Sequence, residues 1–298
     1  MYYSFNKQKK KKSKLKINII LFVFFLIIII LVLYYAFFFN SYNQIKKAID
    51  SKKFTRAEFL IEKKSKSKNF EPLLYYYKGY LYFTKKDFFN SLLFFKKAYF
   101  FINDFNSIPN DIYYYIGLSY YYLGKEYYFY ASKYLKNSLI FIKQKKNYNE
   151  ISYLLGLIYI ELGDFQNAYK YLNQIYNEYK ENVEYLYYYS ITLKNIKYYD
   201  KALNILKNIL ENTNDTNLVK NCFILLGKIY IEKNEYNESY KYFNEALKYN
   251  QNSSEIYYYL ALLEYYNKNY TNAKNLLLKS LMFNPNNNDA ILLLKSMK

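Results

Sequence analysis

Tyr153-Leu-Leu-Gly156-Leu-Ile-Tyr159-Ile-Glu-Leu-Gly163-Asp164-Phe165-Gln-Asn-Ala168-Tyr-Lys-Tyr-Leu172-Asn-Gln-Ile175 decides the fold of this chain. Two apolar helical stripes meet at Gly163-Asp164. Leu155, Gly156 and Tyr159 share a face of the first segment. Phe165, Ala168, Leu172 and Ile175 recur at i, i+3, i+7 and i+10 on the second. Glycine inside a helix costs about 1 kcal/mol relative to alanine, so Gly156 is expected where a neighbouring helix comes close. A hairpin of this kind cannot bury both its faces alone and needs copies of itself.

The chain supplies them. A small residue in the first helix recurs at Gly79, Gly117, Gly156, Ser190, Gly227 and Ala261. A second small residue follows in the partner helix at Ser91, Ala168, Ala202, Ser239 and Ala273. One turn later comes Phe95, Leu172, Leu206, Phe243 or Leu277. The copy around Gly117 falls into register, with Ala131 and Leu135, if its turn holds two extra residues. Copies then start near residues 72, 110, 149, 183, 220 and 254, and residues 40–71 read as a degenerate first copy. Asn103–Asn110, Lys143–Asn149 and Asn212–Asn217 are expected as polar turns between copies. After Pro285, residues 288–298 are expected to cap the open end.

This arrangement resembles the tetratricopeptide repeat (TPR), a helix-turn-helix unit of about 34 residues. Leu155-Gly156-Leu157-Ile158-Tyr159 and Leu226-Gly227-Lys228-Ile229-Tyr230 carry the likeness best. Tyr75, Tyr113, Phe223 or Tyr257 stands for the family's tryptophan, and Pro285 for its closing proline; Ser152 and Glu264 depart from the pattern. The fold expected is an all-α, TPR-like superhelical solenoid preceded by one transmembrane helix.

Composition narrows the function. Of 298 residues 45 are tyrosine, histidine and tryptophan are absent, and Arg56 is the sole arginine, a bias AT-rich codons would produce. Net charge is +19. Seven lysines precede residue 17; residues 40–148 hold 20 basic against 8 acidic residues, and residues 149–298 hold 16 of each. Without histidine the usual general base and metal ligand are missing. Cys222 lies among apolar neighbours and reads as core, and no glycine sits in a phosphate-binding run. The sequence therefore supports no enzyme, cofactor or metal site.

Ile17–Phe39 contains no charge. As a helix it would extend about 35 Å at 1.5 Å per residue, enough for a bilayer. Its length, and the lack of a small-residue cleavage site, favour an uncleaved signal anchor over a removable signal peptide. Met1–Lys16 is then a lysine-rich cytoplasmic tail, and the positive-inside rule puts the copies across the membrane, periplasmic in a bacterium.

In proteins similar to this one, stacked first helices line a concave groove. The positions that point into it are, in successive copies, Tyr76, Tyr80 and Phe83; Tyr114, Leu118 and Tyr121; Tyr153, Leu157 and Ile160; Tyr187 and Lys194; Lys228; Tyr258 and Tyr265. The Lys/Asn/Arg constellation with which some TPR co-chaperones clamp a terminal carboxylate is absent. An aromatic groove suits a helix or an extended apolar peptide, although each tyrosine can equally pack between adjacent helices. The function expected is a non-catalytic, membrane-anchored protein-interaction scaffold, with envelope assembly or translocation as its setting. The alternative is an anionic polymer or lipid surface bound through the lysine-rich residues 40–148. Nucleic acid is disfavoured, because the basic excess is nearly all lysine and would face the wrong side of the membrane.

Overall fold

The computed structural model describes residues 21–33, 41–66, 72–102, 108–142 and 144–297. Every regular element among them is helical, and the chain divides into two compact units, residues 1–127 and 128–298. The division falls inside the copy expected to start near residue 110.

The first unit contains a helical stretch over 21–33, α1 (41–50), α2 (Phe54–Ser65), α3 (Pro72–Thr84), α4 (Phe88–Tyr99) and α5 (Ile112–Leu123). A 3-10 turn, Lys125–Tyr127, follows Gly124, where the extra turn residues were expected. α2 packs on α3, α3 on α4, and α4 on α5; α3 also meets α5 directly. Between them Phe95 and Tyr115 stack with ring centroids 5.4 Å apart.

The second unit contains α6 (Tyr128–Leu139), α7 (Lys145–Glu161), α8 (Phe165–Tyr179), α9 (Val183–Asn195), α10 (Tyr199–Asn212), α11 (Thr216–Glu232), α12 (Tyr236–Leu247), α13 (Ser254–Tyr266), α14 (Tyr270–Phe283) and α15 (Asn288–Ser296). Each helix packs on the next, and α9 also touches both α7 and α11. This is the A-B-A′ packing of a helical-repeat solenoid. One contiguous core runs from Leu172 in α8 through Tyr185 and Leu206 to Ile229 in α11. At the end of the chain α15 buries Ala290 against Ala261 and Leu277.

Small residues sit where the paired helices cross. A Cβ added to Gly79 would meet the Phe95 ring at 2.7 Å, one on Gly227 the Phe243 ring at 2.7 Å, and one on Gly156 would strike Leu172. Ser239 Oγ even donates to the Gly227 carbonyl across the crossing, at 2.8 Å.

The hairpin turns share one closure. After α7, Gly163 takes φ +73°, and Asp164 N bonds to Tyr159 O at 2.9 Å. The same left-handed position holds Lys52, Lys86, Lys197, Asn234 and Lys268 in other hairpins. In two hairpins the second helix then starts on a side-chain cap: Asp87 Oδ1 accepts from Asn90 N, and Asp164 Oδ1 from Asn167 N, each at 3.1 Å.

Two expectations change. The turn expected over Lys143–Asn149 is largely helix, because α7 begins at Lys145, and the one expected over Asn212–Asn217 narrows to 213–215, because α11 begins at Thr216. In the second case Asp215 Oδ1 caps the earlier start by accepting from Asn217 N at 2.9 Å. The larger correction concerns the membrane. No helix among the described residues is long and apolar enough to cross one. Within the expected span, residues 21–33 are helical. The rest of the expected span, residues 17–20 and 34–39, and the lysine-rich tail lie outside the described residues. The expectation of a single-pass anchor, with the topology built on it, is overturned.

Candidate functional site

α9, α11 and α13 are the first helices of three successive hairpins, and each turns a stripe of side chains to the same side. On α9 the stripe is Tyr187, Ile191 and Lys194, spaced i, i+4, i+7; on α11 it is Asn221, Ile224, Leu225 and Lys228; on α13 it is Glu255 and Tyr259. Together with Asn195 they enclose a cleft of about 330 Å³. The opposite faces anchor the helices: Tyr185, Tyr189 and Leu193 of α9, and Leu226 and Ile229 of α11, are buried in the core. Their starts are fixed by caps, with Asn182 Oδ1 accepting from Tyr185 N at 2.9 Å and Ser253 Oγ from Ile256 N at 3.4 Å.

Both cations of the cleft are paired across hairpins. Lys228 Nζ lies 2.6 Å from Glu255 Oε1 and 4.9 Å from the centre of the Tyr259 ring. Lys194 forms an ion pair with Glu232, whose other oxygen accepts the Tyr199 hydroxyl at 2.8 Å. Burial alone would lower the pKa of Lys228, but Glu255 and then Tyr259 outweigh it and the net shift is upward. Burial first, then the Glu255 carboxylate and the neighbouring Cys222 thiol, should it ionise, raises the Tyr187 hydroxyl, which stays protonated. The cleft is thus locally neutralised, with amides, hydroxyls and two isoleucines facing its space. Such a lining recognises a ligand by hydrogen bonds and shape rather than by net charge.

The other expected positions divide between packing and surface. Tyr76 is buried, donates its hydroxyl to Asp111 Oδ1 at 2.7 Å and meets the Phe95 ring edge-on. It belongs to the packing of α3 against its neighbours. Burial, more than the Tyr76 hydroxyl, sets the direction of the Asp111 pKa, which is raised although the residue as a whole keeps exposed surface. Tyr80 is half-buried and ties α3 to α1 through Asp50 Oδ1 at 2.7 Å. Phe83 packs 5.1 Å from the Tyr115 ring, Leu118 is buried, and Tyr114 and Tyr121 are half-buried against Tyr115 and Tyr122. In the second unit Tyr153 leans on Tyr179 and Tyr185, Leu157 is half-buried, and Ile160 packs on the α9–α11 core. Tyr258 joins the cluster around Ala261, and Tyr265 lies 5.7 Å from Tyr270. Only Tyr187, Lys194 and Lys228 of the expected set come together in the cleft.

Sequence reasoning missed Ile191, Asn195, Asn221, Ile224, Leu225, Glu255 and Tyr259. The repeat register carried a signal for several of them. Asn221 and Glu255 fall at matching places in adjacent copies, as do Tyr187 and Ile224, but the expectation selected aromatics, lysines and a few aliphatics (Leu118, Leu157 and Ile160). Nothing in the sequence marked Tyr259.

The family described as "Tetratricopeptide repeat protein 21 C-terminal ARM domain" matches residues 130–291. No curated protein matches the chain. Among solved structures, the C-terminal part of a TPR repeat-containing protein from Cytophaga hutchinsonii aligns with a TM-score of 0.55 at 13% identity, over 84% of this chain and 97% of that one. The structure described as the APC/C hetero-tetramer Cut9-Hcn1 aligns with a TM-score of 0.51 at 17% identity. That match covers 85% of this chain and 48% of the other, so this chain spans about half of its length. At these identities the likeness is one of fold.

Proposed function

Because this chain belongs to the family described as Tetratricopeptide repeat protein 21 C-terminal ARM domain, we propose that it is a non-catalytic protein-interaction scaffold that holds a partner segment in the α9/α11/α13 cleft. The hairpins α3/α4, α7/α8, α9/α10, α11/α12 and α13/α14 are, in this reading, repeat units starting near 72, 149, 183, 220 and 254, and α15 closes the stack.

One observation carries the proposal. Three consecutive first helices each spend one face on the core and border a common space of about 330 Å³ with a second, where Ile224 and Leu225 of α11 form a buried floor. The amides of Asn195 and Asn221 fit the donors and acceptors of a peptide backbone, and Tyr187, Ile191 and Ile224 fit an apolar side chain. Neutralised lysines make an acidic tail a poor ligand, which separates this cleft from a carboxylate clamp.

A photo-crosslinking amino acid placed at Ile191 in the protein's own cells tests the proposal. It should capture one discrete partner through a peptide of that partner, whereas the same probe at Asn204, on the exposed side of α10, should not. Equal capture from both positions would refute a cleft-bound partner.

A further inference from the structure

The two ion pairs at the α9/α11/α13 cleft are built the same way round. In Lys228–Glu255 the lysine side chain is 28% exposed and the glutamate 50%; in Lys194–Glu232 the values are 17% and 35%. Each lysine is the more covered partner, so a visiting group meets carboxylate before ammonium. Of the two glutamates, Glu255 lines the cleft itself. Lys228 Nζ donates to its Oε1 at 2.6 Å, and among the described residues no donor reaches Oε2. Asn221 of α11 also lines the cleft, half-buried, and its side-chain amide makes no hydrogen bond among the described residues.

The cleft's own lysines are neutralised, but its margin is not. Lys194 and Lys228 each have a carboxylate of their own, whereas Asp289 of α15 is exposed and has no ion-pair partner among the described residues. Its field reaches the cleft at Tyr259: burial raises that hydroxyl, Lys228 opposes the rise, and Glu255 and then Asp289 reinforce it. A carboxylate in a first helical turn is favoured by the helix dipole, so the positions of Glu255 and Asp289 alone say nothing about a ligand. The open oxygen, the unpartnered amide and the unbalanced charge, gathered at one cavity, do.

We propose that the cleft selects a basic side chain on its partner segment, a lysine or arginine whose stem lies along Ile191 and Ile224 and whose charged end bonds to Glu255 Oε2 and the Asn221 amide oxygen. The inference rests on the cleft being the partner site and adds the chemistry of the residue it reads. Three arguments choose this occupant. Glu255 Oε2 and the Asn221 oxygen are acceptors, and a cationic donor makes the stronger bond to a carboxylate. An apolar side chain would desolvate both acceptors and leave them unpaired, and an acidic one would be repelled by Glu255. The aliphatic stem of a lysine or arginine packs on isoleucine while its head stays at the polar rim, and its charge balances Asp289.

The test pans a display library of short random linear peptides against the full chain and counter-selects against Asn221→Ala, so that cleft-dependent binders survive. The chain carries a net charge of +19, so nonspecific attraction would enrich acidic peptides. The survivors should instead share a lysine or arginine next to an apolar residue. A fluorescein-labelled survivor, read by fluorescence anisotropy, should lose about tenfold in affinity with Glu255→Gln, the loss of one charge-assisted hydrogen bond. Lys228→Gln removes the cation that competes for the same carboxylate and should tighten binding. Both variants break one ion pair, so a purely structural role for that pair would lower both affinities, and that result would overturn the proposal. Phe100→Ala, on the outward face of α4 where the ring is 79% exposed, should bind like the parent. Survivors without a basic residue, or unaffected by Glu255→Gln, would overturn the proposal and leave the cleft reading standing. No survivors at all would overturn both. Binding tightened by Glu255→Gln and lost in Lys228→Gln would make the selected side chain acidic. Spermidine bound as tightly as the peptides would make the occupant a free polyamine.

Discussion

The α9/α11/α13 cleft and the outward face of α4 spend their side chains differently. In the cleft every lysine is matched by a glutamate of a neighbouring hairpin, Lys194 by Glu232 and Lys228 by Glu255, and the tyrosines are partly buried. Contact between stacked first helices and contact with a ligand therefore draw on the same residues. On α4, Phe100 and Lys97 take no part in the core of the hairpin. The contrast teaches where specificity can change cheaply in such a repeat. Substitutions on the outward faces of second helices leave the stack intact, whereas those at the paired lysines and packed tyrosines of the cleft alter binding and stability together.

The largest effect that sharpens this contrast is alkaline. Burial raises the hydroxyls of Tyr80 and Tyr258 to about 12 and that of Tyr187 further still. Unfolded tyrosines ionise near pH 10. Below that pH both states are protonated and the stabilisation is complete; above it the unfolded state loses protons first, so stability falls as pH rises toward the folded values. Tyrosinate absorbance and loss of helical circular dichroism should rise together above about pH 10. Exposed tyrosines ionise near pH 10 in either state, so it is ionisation of the full complement near pH 10 with helix intact that would show that these hydroxyls are not held by the fold.

Next in size is the crossing beneath the cleft. Gly227→Leu would drive a side chain into Phe243 and should cost about 1–3 kcal/mol in chemical denaturation. Phe100→Ala should stay within about 0.5 kcal/mol. Equal costs would erase the distinction between the two regions.

Ion pairing should matter less. A double-mutant cycle of Lys228→Gln and Glu255→Gln should return a coupling of about 0.2–1 kcal/mol that shrinks in salt, because both groups retain solvent contact. A coupling near zero would leave the cleft's cation free to take an anionic ligand. Smallest is the turn. Lys197 holds a left-handed conformation at φ +66°, so Lys197→Gly should raise stability by a few tenths of a kcal/mol, and Gly163→Lys should lower it. A destabilised Lys197→Gly would mean that the lysine side chain itself braces the turn.

Much of this architecture was legible in the sequence, because close helix crossings demand small residues at fixed places. Gly156 opposite Leu172 and Gly227 opposite Phe243 are visible as spacing before any coordinate is known. The break at Gly163-Asp164 is local chemistry and was equally readable, whereas the cap that Asp164 places on α8 is seen only in the structure. The groove was legible only as a list of faces. Register says that Tyr76 and Tyr187 share one helix face, yet Tyr76 is sealed by its bond to Asp111 in the next copy, whereas Tyr187 borders open space. Such closure depends on contacts some 35 residues away, which no local pattern encodes. The membrane expectation rested on hydropathy over Ile17–Phe39, and no helix among the described residues is long and apolar enough to span.

The central claim, that the α9/α11/α13 cleft holds the partner, is tested most directly by affinity and thermal midpoint measured side by side. The ligand is the partner segment crosslinked at Ile191, and the variants are Tyr187→Ala, Asn221→Ala and Asn204→Ala. The account predicts that Tyr187→Ala weakens binding by about 2 kcal/mol or more, roughly thirtyfold, and that Asn221→Ala weakens it with an unchanged midpoint. Asn204→Ala should bind like the parent. Full affinity in Tyr187→Ala and Asn221→Ala would contradict the account and place the partner elsewhere on the chain.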